Sequence, residues 1–414
     1  MCQKIGSSTK TAFEMASYMQ ELMDTVDSRT VFVAIGSIAL SLILGLPKLV
    51  PILKWLIASL RLKFLLLKEA PSSDVSVSGI FVHPVKSMRS ISLQQSTLDR
   101  KGLTDDRRFM VVFELALPSY KEKWEDGDTT HRFLTQRQCP SLATITATID
   151  ASGKEKILVL EQKIPKHATK KVCIPLKNQS TSGMRYLAGI WDDVVAVEDM
   201  GEEAAAFLQE IADADEELTA SLNGSSAKKI VRLVKESSKP HVLKSTIDHR
   251  SYVPGYAKTW KGDFLGKPTL TDGFPVLIAS EASLEALNQK LVKGGKEKIP
   301  MSRFRPNIVV KGDSLEPFEE DRWKVIAIGN VVFAIVKACP RCKQSCTDQV
   351  TGVVSPQMEP VTTMASFRRA MGDQPSNGDV FFAQNAIPIG KLDGETIQLG
   401  DSVKILERGD PVYR

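Results

Sequence analysis

The pattern of apolar and polar positions changes character once along this chain, near residue 75. Ahead of that point, residues 31–47 (VFVAIGSIALSLILGLP) carry no charge and predict a membrane-spanning helix at the short end of the usual length. Apolar character resumes over 49–60, although Pro47 and Pro51 would kink or end a helix there. Beyond residue 75 the apolar runs are short. Residues 75–82 alternate and then break at His83-Pro84. Further strands are predicted at 109–115, 142–149, 157–161, 194–197, 230–235, 307–310, 324–328 and 331–336, the last stopping at a cysteine cluster. Residues 396–406 read as a closing strand pair that turns at Gly400-Asp401. A helix over 201–213 would gather Phe207, Leu208 and Ile211 on one face, and a second would start at Ser280 as N-cap and bury Leu284, Leu287 and Leu291. Met364, Phe367 and Met371 mark a third. Many short strands with a few helices predict an α+β fold, mainly β and built on β-barrels.

Charge gives the front of the chain a direction. Residues 1–30 carry Lys4, Lys10 and Arg29 against Glu14, Glu21, Asp24 and Asp27, which fits neither a cleaved signal peptide nor a transit peptide. Residues 48–68 carry Lys48, Lys54, Arg61, Lys63 and Lys68 and no acid, so everything that follows is expected in the cytosol. A short anchor with a basic collar suits the thin mitochondrial outer membrane, with the endoplasmic reticulum as the alternative. The 414 residues are 43% hydrophobic and 25% charged, as expected for a folded chain, with a net charge of +5. The five collar residues equal that whole excess. The rest is balanced, which argues against a nucleic-acid partner.

Six cysteines are present, and Cys339, Cys342 and Cys346 lie within eight residues, next to Lys337, Arg341 and Lys343. The other three are scattered, which does not read as a disulfide framework. Three readings compete for the cluster. A structural zinc site needs a second half-site, and no second CxxC exists. A zinc deaminase needs H-x-E, which no histidine here begins. The third is a single thiolate on a soft metal held mainly by an organic cofactor, with the neighbouring cations favouring the thiolate. Inert buried thiols are the plain alternative. No G-x-G-x-x-G, G-x-x-x-x-G-K-[ST] or G-x-S-x-G occurs, so no bound dinucleotide is expected and a redox enzyme would draw its electrons from a partner protein.

An ordered set of short motifs resembles the MOSC-domain family. It runs through Phe81-Val-His-Pro84-Val-Lys86-Ser87, Asp106-Arg107-Arg108-Phe109-Met110 and Thr135-Gln-Arg137-Gln-Cys-Pro140-Ser-Leu142. Thr271-Asp272, Phe304-Arg305-Pro306-Asn307, Ala338-Cys-Pro-Arg-Cys342, Thr351-Gly352, Gln384-Asn385 and Gly400-Asp401 follow in order. The set spans about Val75 to Leu406; ahead of it, hydropathy and charge give a leader (1–30), a membrane anchor (31–60) and a basic collar and linker (61–74). A MOSC-associated N-terminal β-barrel domain (75–200), a connecting helix and linker (201–225), a MOSC β-barrel domain (226–407) and a tail (408–414) would complete the chain. The resemblance implies a molybdenum-dependent reductase of N-hydroxylated compounds such as amidoximes, supplied with electrons by a b-type cytochrome and its NADH-dependent reductase. The cofactor would be molybdenum with molybdopterin. Cys342 would be the metal ligand and the catalytic residue, and Lys86, Ser87, Arg107, Arg108, Asp272, Arg305, Asn307 and Cys342 would hold the cofactor. Asp272 and Asp348 are the candidate proton donors. The rival is a carrier that binds the cofactor without turnover.

Overall fold

The computed structural model describes Leu60 and residues 74–413, apart from 125–126, 177–183, 192, 223–226, 238–250, 256–269, 371–377, 391 and 393. The expected leader and anchor lie outside the described residues. Among the described residues no helix is long and apolar enough to cross a membrane.

Nineteen strands and four helices are described. The first four strands are β1 (Ser76–Val82), β2 (Ile91–Leu93), β3 (Gln95–Asp99) and β4 (Gly102–Leu103). Then come β5 (Phe109–Trp124), β6 (Gly127–Phe133), β7 (Ile145–Asp150), β8 (Ile157–Gln162), β9 (Lys170–Pro175), β10 (Arg185–Ile190) and β11 (Asp193–Asp199). Helices α1 (Glu202–Ala214) and α2 (Glu216–Leu222) lead to β12 (Ala227–Glu236). After β13 (Val276–Ser280) and α3 (Glu281–Lys293) come β14 (Ile308–Lys311), β15 (Trp323–Ile328) and β16 (Val331–Arg341). The one-turn helix α4 (Val361–Met364), β17 (Val380–Ile389), β18 (Thr396–Gln398) and β19 (Val403–Arg408) close the order.

Two bodies result. Strands β10-β11-β12-β5-β6 form a closed barrel. Its strand β5 begins as an unbroken apolar run, 109–113, because both faces are buried. Met110 and Val112 point into the barrel with Phe133, Val195 and Val234. Phe109, Val111 and Phe113 point outward, under Phe207, Leu208 and Ile211 of α1 and the sheet β7-β8-β9. The second body is an eight-stranded sheet ordered β19-β15-β16-β17-β13-β14-β1-β2. One face buries Ile80, Val276, Ile308, Ile326, Phe333 and Ile335. Leu277, Ala279 and Phe382 are packed with Leu287 and Leu291 of α3.

The chain divides between these bodies differently from its sequence order. Strand β1 pairs with β14, with Ile80 opposite Ile308, and β3 joins β18 and β4 in a separate three-stranded sheet, so residues 76–103 pair with strands of the C-terminal half. Strand β12, expected to open the second domain, closes the first barrel against β5 and β11. The chain lays its first strands into one body, builds the other, and returns.

Several local expectations shift. The strand expected from 142 starts as a 3-10 turn over Pro140–Thr144, with proline early in the turn where it needs no N–H partner. The pair expected at 396–406 forms two strands joined to β3 and β15 and not to each other. Ser280 precedes α3 but makes no side-chain cap bond. The helix at Met364 is a single turn, and Met371 lies outside the described residues. Strand β16 does not stop at 336; it carries Cys339 and Pro340 within it.

Candidate cofactor site

A cavity of about 450 Å³ opens where the two bodies meet. That volume falls in the range of small-molecule and cofactor sites. Seven cationic side chains (Lys86, Arg107, Arg137, Arg303, Arg305, Lys337, Arg341) line it, with two carboxylates, Asp272 and Asp379. Such an excess suits an anionic group.

The cationic end is built on strained backbone. Ser87, Arg107 and Arg305 have φ of 69°, 49° and 55°, the left-handed region. Each such non-glycine residue costs about 1–3 kcal/mol, and such strain concentrates at ligand sites. Buried Asp106 fixes this corner. Its carboxylate accepts from the His83 N–H at 2.7 Å and from the Arg107 guanidinium. Burial opposes ionisation of Asp106, but Arg107 overrides it and holds the carboxyl well below its usual range. His83 is pushed down to about 3 by burial and by the charges of Arg305 and Arg107, so it is neutral. The Arg305 guanidinium is 7% exposed and pushed down to about 9, first by burial and then by the Arg107 charge. One of its nitrogens donates to the Met88 carbonyl, while Nη2 is buried without a hydrogen-bond partner among the described residues. A buried guanidinium nitrogen left without an acceptor is costly, and an anionic oxygen would satisfy it.

Lys86 reaches across to the second body. Its ammonium donates to the Leu270 carbonyl at 2.9 Å and to Asp272 Oδ1 at 2.5 Å. Burial depresses the ammonium pKa and Asp272 works against that. The same Oδ1 accepts from Trp191 Nε1 at 2.9 Å, and the Arg137 guanidinium stacks 4.2 Å from the Trp191 ring. Asn307 spends its amide within the protein. Oδ1 accepts from Leu277 N and Arg107 Nη1 at 3.1 and 3.2 Å, and Nδ2 donates to the Phe81 carbonyl at 3.2 Å. It acts on the cavity by aiming Arg107.

The thiol end depends on broken register. Ile335 pairs with Ala386, and Lys337, two residues on, pairs with Asn385, one residue back, so Val336 is an extra residue in β16. Further along, β17 bulges at Ala383, whose φ is 66°. Arg341 fastens that bulge, donating through Nε and Nη2 to the Phe382 carbonyl at 2.9 and 2.7 Å and through Nη1 to the Phe304 carbonyl at 2.9 Å. Bulges of this kind re-aim side chains beside functional sites. Cys342 then leaves the strand with its thiol exposed on the cavity. The Cys339 thiol is pushed up by burial, and Cys346 is fully buried and also pushed up by burial. Among the described cysteines, only Cys342 combines exposure with a place on the cavity wall. Among the described residues, no group of three or more His, Cys, Asp or Glu side chains is placed to hold a metal, as a zinc site would require.

Lys86, Ser87, Arg107, Asp272, Arg305, Asn307 and Cys342 therefore converge on one cavity. Arg108 does not. It follows Arg107 into extended chain, so its side chain leaves on the opposite side and pairs with Asp99 at 2.8 Å. Lys343, expected to favour the thiolate, turns to Glu217 of α2 at 2.6 Å. Asp348 does not line the cavity; Arg303 and the Val350 and Thr351 N–H groups hold its carboxylate at 3.1, 2.9 and 2.8 Å. Gly352 closes that loop at φ +73°, where a Cβ would come within 3.1 Å of Thr144. Trp191 and Arg303 line the cavity without a sequence signal, because each is a lone residue on a turn between elements.

The residues present fit a phosphorylated pterin carrying a soft metal: a set of cations, one with an unsatisfied buried nitrogen, and one exposed thiol on the same cavity. Comparison with known proteins agrees. Residues 74–215 match the MOSC N-terminal beta barrel domain and residues 266–404 match the MOSC domain. The chain is 28% identical to mitochondrial amidoxime reducing component 2 of Rattus norvegicus, over 82% of this chain and 83% of that protein. It is 26% identical to mitochondrial amidoxime-reducing component 1 of Homo sapiens, over 80% and 83%. The molybdenum cofactor sulfurase of Oryza sativa subsp. japonica is 27% identical over 72% of this chain but only 32% of that larger protein. With both domains matched in order, this chain carries a MOSC N-terminal beta barrel domain followed by a MOSC domain and resembles the mitochondrial amidoxime reducing components.

Proposed function

We propose that this chain is a molybdenum-cofactor oxidoreductase that reduces N-hydroxylated compounds of the amidoxime or hydroxylamine type. The observation that carries the reading is the exposed Cys342 thiol on the same cavity as the buried, partly unsatisfied Arg305 guanidinium. Similarity to both amidoxime reducing components and molybdenum cofactor sulfurases supports a role tied to that cofactor.

Arg305, Arg107, Lys86 and Ser87 would hold the phosphate and pterin of molybdopterin, with Asn307 and Asp106 aiming Arg107 and Asp272 setting Lys86. Cys342 would supply the one protein thiolate to the metal. The bound group supplies a two-electron couple. In the net reaction the N–O bond of the substrate breaks, two electrons and two protons are taken up, and the oxygen leaves as water. Trp191, held on Asp272 and stacked by Arg137, forms part of the cavity wall. No nucleotide fingerprint is present, so we assign the electrons to a b-type cytochrome fed by an NADH-dependent reductase. We place the chain on the mitochondrial outer membrane with its folded part in the cytosol. That placement rests on the 31–47 run, its basic collar and the mitochondrial relatives.

The test is metal analysis joined to turnover. Purified protein is expected to hold about one molybdenum per chain and to reduce benzamidoxime when the cytochrome and reductase are supplied, and Cys342→Ala is expected to lose that activity. Full activity in Cys342→Ala would overturn the assignment. Loaded protein inert with every electron partner would make it a carrier.

A further inference from the structure

Most cations of the cavity are already engaged. Lys86 meets Asp272, Arg107 meets Asp106, Arg303 meets Asp348, Arg341 is spent on three hydrogen bonds to backbone carbonyls, and Arg305 sits in the phosphate corner. Arg137 is stacked on Trp191. Lys337 differs: it lines the cavity, yet among the described residues its side chain makes no hydrogen bond, ion pair or ring contact. Its charge reaches the Cys339 thiol, three residues from the candidate metal ligand. Directly across the ladder stands Asn385, which also lines the cavity and whose side-chain amide makes no hydrogen bond among the described residues.

The fold places this pair by a specific device. Ile335 faces the apolar core, and in a regular strand Lys337 would follow it there. The extra residue at Val336 puts Lys337 opposite Asn385, which points away from core-facing Ala386. Directly opposed residues share a face and stand about 5 Å apart. The bulge therefore brings an ammonium and a carboxamide side by side onto the cavity wall at the thiol end.

We infer that Lys337 and Asn385 form an anion-recognition pair that selects substrates carrying a carboxylate beside the N-hydroxylated group. Both side chains offer hydrogen-bond donors, and among the described residues neither is spent on the protein. The substrate class rests on the reductase reading; the selection for negative charge does not.

The experiment separates the two. Molybdenum-loaded protein is titrated calorimetrically with benzamidoxime and with its 4-carboxy derivative, and turnover of both is measured separately. The carboxylate is expected to bind more tightly to the natural protein. Lys337→Gln is expected to erase that preference by about ten- to a hundredfold, the scale of one charge-assisted hydrogen bond. The loss should fall on KM more than on kcat, and Lys337→Arg should restore part of it. Asn385→Asp should reverse the preference. The inference is overturned if the natural protein binds both ligands equally, or if the preference survives Lys337→Gln. It is also overturned if Lys337→Gln loses molybdenum with the preference unchanged, for then Lys337 serves the cofactor. Selective binding without turnover would sink the reductase reading and leave this inference standing.

Discussion

Lys86 Nζ lies 2.5 Å from Asp272 Oδ1, so two residues 186 positions apart join the strand-linking segment after β1 to the loop before β13. Trp191 holds the same oxygen from the barrel. Three separate parts of the chain are thus tied at one carboxylate, on the wall of the cavity that would take the cofactor. Lys86→Met and Asp272→Asn are each expected to lower the molybdenum content of purified protein. The double variant is expected to lose no more than the worse single one, because the two groups act as a unit. Additive losses, measured by metal analysis, would show independent roles.

Thiol chemistry should separate the cysteines. Cys342 and Cys173 are exposed, while Cys139 and Cys346 are buried. Burial, and then the Asp215 carboxylate that its thiol approaches at 3.3 Å, push Cys139 far up. Maleimide labelling of cofactor-free folded protein, read by peptide mass mapping, is expected to mark Cys173 and Cys342 and to spare Cys139 and Cys346 until unfolding. Loading with cofactor should protect Cys342 alone.

A buried polar cluster behind β17 supports the wall that carries Asn385. Arg368 Nη1 pairs with Asp321 Oδ2 at 2.8 Å, and Gln384 donates to Asp321 at 2.7 Å. Both charged side chains are under 10% exposed. Arg368→Met would leave the Asp321 carboxylate buried without its counter-charge, at a cost of about 3–5 kcal/mol. Urea unfolding should show that loss, and replacing Asp321 by Asn in the same protein should recover part of it.

Glu320, beside that pair, gives a pH prediction. It is fully buried, and burial followed by the Asp321 charge pushes it up to about 7. Its Ser283 partner donates at 2.7 Å. The folded state then holds a proton that the unfolded chain releases near pH 4.5. This contribution is fully present below pH 4.5 and is lost as pH rises through about 7. His83 runs the other way, because its folded value near 3 lies below its ordinary 6.5 and its contribution is lost as pH falls from 6.5. The two oppose each other between pH 4.5 and 6.5. Glu320→Gln removes one side, so its stability relative to the natural protein should rise between pH 4.5 and 7.5, by on the order of 2–3 kcal/mol. Equal shifts at both pH values, by denaturant unfolding, would contradict this.

What could be read from the chain alone was what depends on near neighbours. The apolar residues of 109–115 announced a strand, and Phe207, Leu208 and Ile211 announced the covered face of α1; that this strand is buried on both faces came from the structure. The ordered motifs pointed to Lys86, Ser87, Arg107, Asp272, Arg305, Asn307 and Cys342, which do share one cavity. Adjacent residues were beyond such reading: Arg107 enters the site and Arg108 leaves it, because which side of a strand faces a ligand is set by what packs against it.

Long-range pairing decided the rest. Only the completed sheet shows that residues 76–103 belong with β14 and β18, while β12 belongs to the other barrel. Only the β16–β17 ladder shows that one extra residue at Val336 carries Lys337 from the core face to the cavity. Composition and alternation are local properties and settle what each strand can be. Register is fixed by a partner strand far away in sequence, and here register decides which charges surround the cofactor site.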